Sequence, residues 1–184
     1  MIAATNAGPL IYLGKIKRLD LLTLLFSEVL TTPEVFDEVV IRGKQLKFHD
    51  AWEVENMFKK GKFKIKSPSK QSLTYVIRIC NNMGVILAQG ELSAIALALD
   101  TNAMFLTNDS IAMKVAKFLN IESHGVLYVL LESVKRRIIT CELAKELMQK
   151  IINAGLWIKK DIINKFLLEL SKLQRMLNNT EQKF

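Results

Sequence analysis

Four polar residues lie where a predicted strand ends or a predicted helix begins, so side chains from separate parts of the chain can meet there. Glu91 opens a predicted helix, and Asp109 follows a short buried strand. Carboxylates in these two places can come together at one edge of a parallel sheet, which is where open α/β folds place their chemistry. Asn6 and Glu38 occupy comparable places elsewhere in the chain. The spacing therefore predicts a polar, mostly acidic site assembled from four segments.

Each of these residues also has a purely structural explanation. Asp109 could cap the helix that begins at Ser110, because Asp is a favoured N-cap residue. Glu91 in a first helical turn complements the helix dipole. Glu38 could belong to a solvated helix face, and Asn6 could be a turn residue. Taken singly, none of the four establishes a site.

The elements that must position these residues follow from the hydrophobic pattern. Short apolar segments alternate with helical ones, which predicts a parallel α/β sheet. The predicted strands are 1–5, 29–30, 63–66, 103–106 and one that starts at Ile121. Predicted helices fill the intervals; one starts at Pro33 with Thr32 as its N-cap and ends at Gly43, and another, 73–83, ends at Gly84.

From Val126 onward the pattern predicts helices alone, at 126–136, 141–153 and 160–176. We therefore divide the chain into an α/β domain over 1–136, a helical C-terminal extension over 137–178 packed on the same domain, and a disordered tail over 179–184. Apolar positions of the last helices favour core or dimer contacts over a ligand site: Trp157, Phe166, Leu167 and Leu170.

Composition limits the possible functions of the chain. Of 184 residues half are hydrophobic, enough for one domain with a sizeable core. The net charge of +8 favours a polyanionic partner, although solubility alone would explain it equally well. Two distant cysteines outside any metal-binding spacing favour a reducing cytoplasm. The N-terminus lacks the pattern of a signal peptide, and every apolar run is shorter than the roughly 18 residues that span a bilayer.

A lysine-rich stretch over 59–70 contains six lysines and no acid. Within it Lys62, Lys64 and Lys66 alternate with apolar residues, as on the solvated face of an edge strand, where charge opposes aggregation. The same lysines could follow an RNA backbone without reading its sequence. The two interpretations are compatible, and the sequence leaves both open.

Other catalytic classes are poorly supported. His49 and His124 are far apart and distant from the cysteines, and a GxSxG turn and a glycine-rich phosphate loop are both absent from the sequence. Histidine-based nucleophilic catalysis and nucleotide hydrolysis are therefore weak hypotheses.

Five segments of the sequence form a recognisable series along nearly the whole chain: TNAGPLIYLGKIKRLDLL, TPEVFDEVV, QGELSAIALAL, FLTNDSIAMKVAKFL and IINAGLWIKKDIINKFLLEL. In their order and spacing they resemble the PIN-domain ribonuclease family, most closely its short archaeal and bacterial branch related to VapC toxins. The resemblance implies a PIN-like three-layer α/β/α fold with a central parallel sheet.

The resemblance also implies a metal-dependent endoribonuclease that holds one or two Mg²⁺ or Mn²⁺ ions, which prefer oxygen ligands. Glu38, Glu91 and Asp109 fall on the family's second, third and fourth acidic positions, and Thr107 and Asn108 would line the same loop. Such an ion would lower the pKa of a bound water and neutralise charge on the leaving oxygen. RNA as substrate, an antitoxin as partner and a homodimer are further implications.

The sequence departs from the family pattern at the first acidic position, where it has Asn6, and Gly8 replaces a common hydroxyl residue. The Asn carbonyl oxygen can face a metal ion but adds no negative charge, so we expect weaker metal binding and a slower reaction. The alternative is a catalytically weakened PIN-fold module that binds RNA or a protein partner. A structural subunit of a larger complex is a third possibility, supported only by the helical C-terminus.

Overall fold

Five short strands form a single sheet in the computed structural model, which describes residues 1–181. The strands are β1 (Ile2–Thr5), β2 (Glu28–Thr31), β3 (Phe63–Ile65), β4 (Met104–Leu106) and β5 (Ser123–His124). Their order is β3-β2-β1-β4-β5, and every neighbouring pair is parallel. The predicted parallel sheet is thus confirmed, with each predicted strand present.

Helices connect the strands and continue beyond the last one. In the first half they are α1 (Ala7–Lys15), α2 (Asp20–Leu25), α3 (Pro33–Phe36), a π-helical segment (Asp37–Arg42), α4 (Gly43–Gln45) and α5 (His49–Lys59). In the second half they are α6 (Lys70–Met83), α7 (Gln89–Thr101), α8 (Ser110–Phe118), α9 (Val126–Lys135), α10 (Cys141–Asn153) and α11 (Lys160–Glu181).

The helices cover both faces of the sheet, which confirms the three-layer α/β/α fold. On one face α7 packs directly on β1 and β4 and is covered by α6. The alanines of α7 allow this close approach, since Ala94, Ala96 and Ala98 are almost completely buried. On the other face α1 and α2 contact β1 and β2, and α9 packs on both of these helices. The C-terminal helices α10 and α11 pack on α9.

The strand order reverses between β1 and β4. From β1 the chain moves outward to β2 and β3, and it then crosses back through α6 and α7 to place β4 on the other side of β1. The register aligns Thr5 with Leu106, so both strands end at the same level. Such a reversal opens a crevice at the carboxyl ends of the strands, where open α/β folds bind their ligands.

Local sequence signals set several boundaries as predicted. The Thr32 hydroxyl accepts a hydrogen bond from the Val35 amide and caps α3. Gly84 adopts the left-handed conformation, with φ of 64°, and ends α6. The prediction that Gly43 ends its helix is wrong, because Gly43 is buried within a continuous helical stretch that runs from α3 through α4. A side chain there would lie 2.9 Å from the Ala51 Cβ, so the glycine lets α5 approach closely.

The C-terminal part confirms two of the expected core residues. Phe166 and Leu170 are buried, whereas Trp157 is 77% exposed and is not part of the core. Its alternative role as a dimer contact stays a prediction. The division between 136 and 137 stays a prediction. Helix α11 runs through Glu181, and residues 182–184 of the predicted tail lie outside the described part of the chain. Among residues 1–181 every helix is too short or too polar to cross a bilayer.

A candidate acidic site at the carboxyl edge of the sheet

The four predicted site residues line one cavity of about 280 Å³ at the crevice between β1 and β4. They reach it from four segments: the end of β1, the π-helical segment, the first turn of α7 and the loop after β4. Besides Asn6, Glu38, Glu91 and Asp109, the lining includes Ala7, Gly8, Ile11, Tyr12, Ala88, Gly90 and Asn108. The structure therefore brings together the residues that the sequence placed at strand ends and helix starts.

One polar atom of the Asn6 side chain makes a hydrogen bond, and the other has no partner among the described residues. It is only 5% exposed, and its Nδ2 donates a 2.8 Å hydrogen bond to the Thr107 hydroxyl. Its Oδ1 is buried and has no hydrogen-bond partner among the described residues. Asn6 occupies the N-cap position of α1 without capping it through its side chain. An Asn at this position normally uses its oxygen to cap the helix, so here the oxygen remains available to the cavity.

Asp109 caps a helix and also lines the cavity. Its Oδ1 accepts hydrogen bonds of 2.8 and 2.7 Å from the amides of Ile111 and Ala112, so it caps α8. Because these bonds use one oxygen, the second carboxylate oxygen is available to the cavity. The Asp109 amide in turn donates to the Thr107 hydroxyl. Thr107 thus fixes both Asn6 and Asp109, a positioning contribution that accords with its predicted supporting place.

Glu91 carries the clearest electrostatic signature of the cavity. Burial raises the pKa of its carboxyl group, and the negative charges of Asp109 and Glu38 raise it further. A hydrogen bond from the Ala88 amide to Oε2, 3.0 Å long, opposes these effects. The carboxylates of Asp109 and Glu38 are therefore close enough to repel that of Glu91, and a bound cation would relieve this repulsion.

Glu38 reaches the cavity from the π-helical segment. Its Oε2 lies 3.3 Å from where a Cβ on Gly90 would be, so the absence of a side chain at 90 brings Glu38 close to the start of α7. Single-turn π segments within helices occur frequently at functional sites. The side chain of Glu38 is exposed, unlike that of Asn6.

Asn108 closes the cavity on the α9 side. Its Oδ1 accepts a 3.0 Å hydrogen bond from the Val126 amide at the start of α9. Its Nδ2 is buried and has no partner among the described residues. A Cβ on Gly125 would lie 2.8 Å from the Asn108 Oδ1, so only glycine permits this arrangement. The cavity thus contains one unpaired acceptor, on Asn6, and one unpaired donor, on Asn108.

Sequence analysis missed two aromatic residues near the site. Tyr12 lines the acidic cavity, and a signal existed in its position on α1, less than two turns after Asn6. Trp157 lines a second, larger cavity that shares Asn108 and Asp109 with the first. Its signal was its place after the turn at 153–155, outside the periodic positions of the neighbouring helices.

The lysine stretch lies on the outer strand of the sheet, away from the β1–β4 crevice. β3 is an edge strand in which Phe63 is buried and Lys64 is exposed, and Lys66, just after it, is exposed as well. Ile65 departs from the predicted alternation, since it too is exposed. Lys64 pairs with Glu28 at 2.5 Å. The solvated-edge interpretation of these residues is therefore confirmed, while their contact with RNA stays a prediction.

The donor set in the cavity fits a hard divalent cation chemically. Carboxylate and amide oxygens are the ligands such ions take, and a buried oxygen with no partner costs about 1–3 kcal/mol unless something binds it. Within residues 1–181, three or more Asp, Glu, His or Cys side chains nowhere form a metal-holding group by themselves. A cation here would therefore need the Asn6 oxygen, water or substrate oxygens beside the carboxylates.

A parallel sheet with a polar site at its β1–β4 reversal defines an α/β protein of the kind the sequence predicted. A family model described as PIN domain matches residues 2–172, so the chain belongs to the PIN-domain family. Endoribonuclease Nob1 from Methanocaldococcus jannaschii is 36% identical over 102 residues, which are 55% of this chain and 48% of that protein. The chain thus spans about half of that relative's length. The predicted membership of the PIN-domain family is therefore confirmed.

A solved structure shares the fold. VapBC2 from Rickettsia felis, bound to a DNA fragment from its promoter, contains a chain that matches with a TM-score of 0.50. The match covers 68% of this chain and 98% of that one at 16% identity, so it bears on the fold alone.

Proposed function

We propose that this chain is a metal-dependent endoribonuclease that hydrolyses RNA phosphodiester bonds at the acidic cavity, using Mg²⁺ or Mn²⁺. The observation that carries the proposal is the unpaired, buried Oδ1 of Asn6 in a cavity that it shares with Glu91 and the two carboxylates that repel Glu91, those of Asp109 and Glu38. A polyanionic substrate agrees with the net charge of +8.

The residues of the cavity would hold the cation in complementary ways. Backbone amides donate hydrogen bonds to one carboxylate oxygen of Asp109 and to one of Glu91. These bonds hold each carboxylate in place and leave its second oxygen for the cation. Asn6 adds a neutral oxygen that Thr107 orients. Glu38, whose side chain is exposed, adds a third negative charge at the rim of the cavity. When bound, a divalent ion supplies an activated water and neutralises charge on the phosphate.

Asn108 contributes an unpaired hydrogen-bond donor to the lining of the same cavity. Its Nδ2 is suited to donate to a phosphate oxygen or to a water held in the cavity. Because Asn108 Oδ1 is tied to the start of α9, the amide cannot turn without losing that bond. We therefore assign Asn108 a substrate-positioning role.

The test is cleavage of an RNA panel in Mn²⁺, in Mg²⁺ and in EDTA. We expect cleavage only with metal, and a loss of at least roughly tenfold in Glu91→Gln and in Asp109→Asn, the lower range for disturbing a metal site. Glu146→Gln, an exposed change on α10, is the matched control and should cut like the parent. If Glu91→Gln and Asp109→Asn cut RNA as fast as the parent and the Glu146→Gln control, the site assignment is wrong.

A second candidate function follows from Asn6. With a neutral residue at the first position, the chain could be a PIN-fold module that binds RNA or a protein partner with little turnover. The finding that favours it is that acidic, His and Cys side chains among the described residues do not form a metal group alone. Metal-dependent cleavage by the parent would remove this candidate.

We also propose an antitoxin as a protein partner and a homodimer as the assembly, in a cytoplasmic setting. The antitoxin follows from the resemblance to the VapC-related branch of the family, and co-purification with a small antitoxin-like protein would test it. Both cysteines are buried with free thiols, in keeping with a reducing compartment. Light scattering of the purified protein measures the assembly directly, and a monomer at working concentrations would contradict the homodimer.

A further inference from the structure

A large groove lies directly beside the acidic cavity. Its volume is about 570 Å³, and Asn108 and Asp109 form a wall common to both. The remaining lining comes from the first turn of α8, from the start of α9 and from the loop and first turn that lead into α11, and it is mainly apolar and aromatic. The groove and the acidic cavity are therefore neighbours on the two sides of Asn108 and Asp109.

Trp157 presents an unusually open aromatic surface to this groove. It is 77% exposed, although tryptophan is highly buried on average. Its loop is nevertheless tied down, since the Tyr12 hydroxyl donates to the Gly155 carbonyl at 3.4 Å and Lys15 Nζ donates to the Ala154 carbonyl at 3.2 Å. Both donors lie on α1, the helix that starts just after Asn6. The indole is thus carried by a loop anchored to the same helix as the acidic site.

Two more side chains give the groove its chemical character. Tyr128 lines it, and His124, which is not part of the lining, stacks on the Tyr128 ring with centroids 3.8 Å apart and planes 10° apart. Lys159 adds a positive charge to the lining. Aromatic faces for bases together with a cation for the backbone are what proteins use to bind single-stranded nucleic acid.

We propose that this groove binds an unpaired nucleobase of the RNA strand whose phosphate enters the acidic cavity, by stacking on Trp157. The link to cleavage rests on the proposed function, whereas base binding rests on Trp157, Tyr128 and Lys159. Bases in a duplex are already stacked and paired, so they are not available to the indole. The substrate class is therefore single-stranded RNA or an unpaired loop.

Fluorescence of Trp157 tests base stacking without requiring cleavage. The chain has two tryptophans, so Trp52→Phe leaves Trp157 as the sole indole. Glu91→Gln in the same chain, together with EDTA in the buffer, prevents the proposed metal-dependent cleavage during the measurement. The probes are a short single-stranded RNA, an abasic strand of equal length and charge, and the same RNA as a duplex. We expect quenching by the single strand alone. Equal quenching by the abasic strand would overturn the proposal, because phosphates would then suffice.

Affinity of variants gives the second measurement. Trp157→Ala should weaken binding of the single strand by about tenfold, in the range measured for removing one base–aromatic stack. Trp52→Ala, a partly exposed tryptophan on α5, should bind like the parent. Equal affinity of the parent and Trp157→Ala would overturn the proposal and leave the groove to an apolar protein segment. Quenching without metal-dependent cleavage by the parent would refute only the proposed function, and cleavage without quenching only the base site.

Discussion

Replacing Asn6 by Asp changes the charge of the candidate site with almost no change in shape. The Thr107 hydroxyl, which now accepts from Asn6 Nδ2, can rotate and donate to a carboxylate oxygen instead. The variant therefore keeps the bond that orients residue 6. What it adds is a negative charge at a position only 5% exposed, in a cavity where Glu91 already feels two other carboxylates.

The expected magnitude follows from burial and repulsion. An uncompensated buried charge costs about 3 kcal/mol, and in a chain of this size 1 kcal/mol corresponds to roughly 2–4 °C in Tm. Without divalent ions at pH 7, Asn6→Asp should therefore melt about 6–12 °C below the parent. Burial and neighbouring carboxylates raise the pKa of the new Asp above its unfolded value of about 3.9. Its destabilisation is thus absent at lower pH and develops as the pH rises through that range.

A divalent ion should reverse this loss. At a free concentration of about 100 times Kd, binding adds about 2.7 kcal/mol to the stability of the folded state, which restores most of the Tm. The assay is thermal unfolding of parent and variant in EDTA and across a Mn²⁺ titration. Asn164→Asp, an exposed change on α11, controls for net charge. A Tm deficit of Asn6→Asp that is the same with and without Mn²⁺ would refute the idea that residue 6 faces a cation.

Three further substitutions test the surrounding contacts. Glu91→Gln should raise the Tm at neutral pH in EDTA, because the pKa of Glu91 is raised and the parent therefore loses stability as the pH rises above the ordinary value of 4.5; the gain should vanish below that pH. Gly8→Ser should also stabilise the protein, by about 1 kcal/mol, since a side chain there lies within 3.4 Å of the unpaired Asn108 Nδ2 and brings it an acceptor; an unchanged urea midpoint would count against this. Gly125→Ala should lower the free energy of unfolding by about 1–3 kcal/mol and impair cleavage. The new Cβ would displace Asn108 Oδ1, which accepts a hydrogen bond from the Val126 amide at the start of α9. A urea midpoint equal to that of the parent would contradict this prediction.

Elements with local signals were predictable from the sequence. The sheet and its order of strands and helices follow from short apolar segments, and Thr32 and Gly84 mark boundaries by chemistry that works within one turn. Gly43 misled because a glycine can serve packing between helices as well as ending one. That distinction depends on α5, which lies later in the chain.

The candidate site was predictable in its members but not in its contacts. That Asn6, Glu91 and Asp109 share an edge follows from strand ends, whereas the bond that turns the Asn6 oxygen toward the cavity depends on Thr107. The same holds for Trp157, whose hydrophobic character indicated a core or dimer contact. Its exposure results from the way α1 holds the preceding loop, a contact between residues far apart in sequence.

The strand order also determines when during folding the cavity can exist. The hydrogen bond between Asn6 and Thr107 joins residues that are 101 positions apart in sequence. β1 can pair with β4 only after that later strand has been made, whereas β2 and β3 lie on the other side of β1. Distant parallel pairings of this kind are slow, because chain entropy is lost before contacts repay it. A nascent chain therefore carries Asn6, Glu38 and Glu91 without Asp109 until β4 has been synthesised and paired. Whatever chemistry the cavity performs is withheld until the sheet is complete.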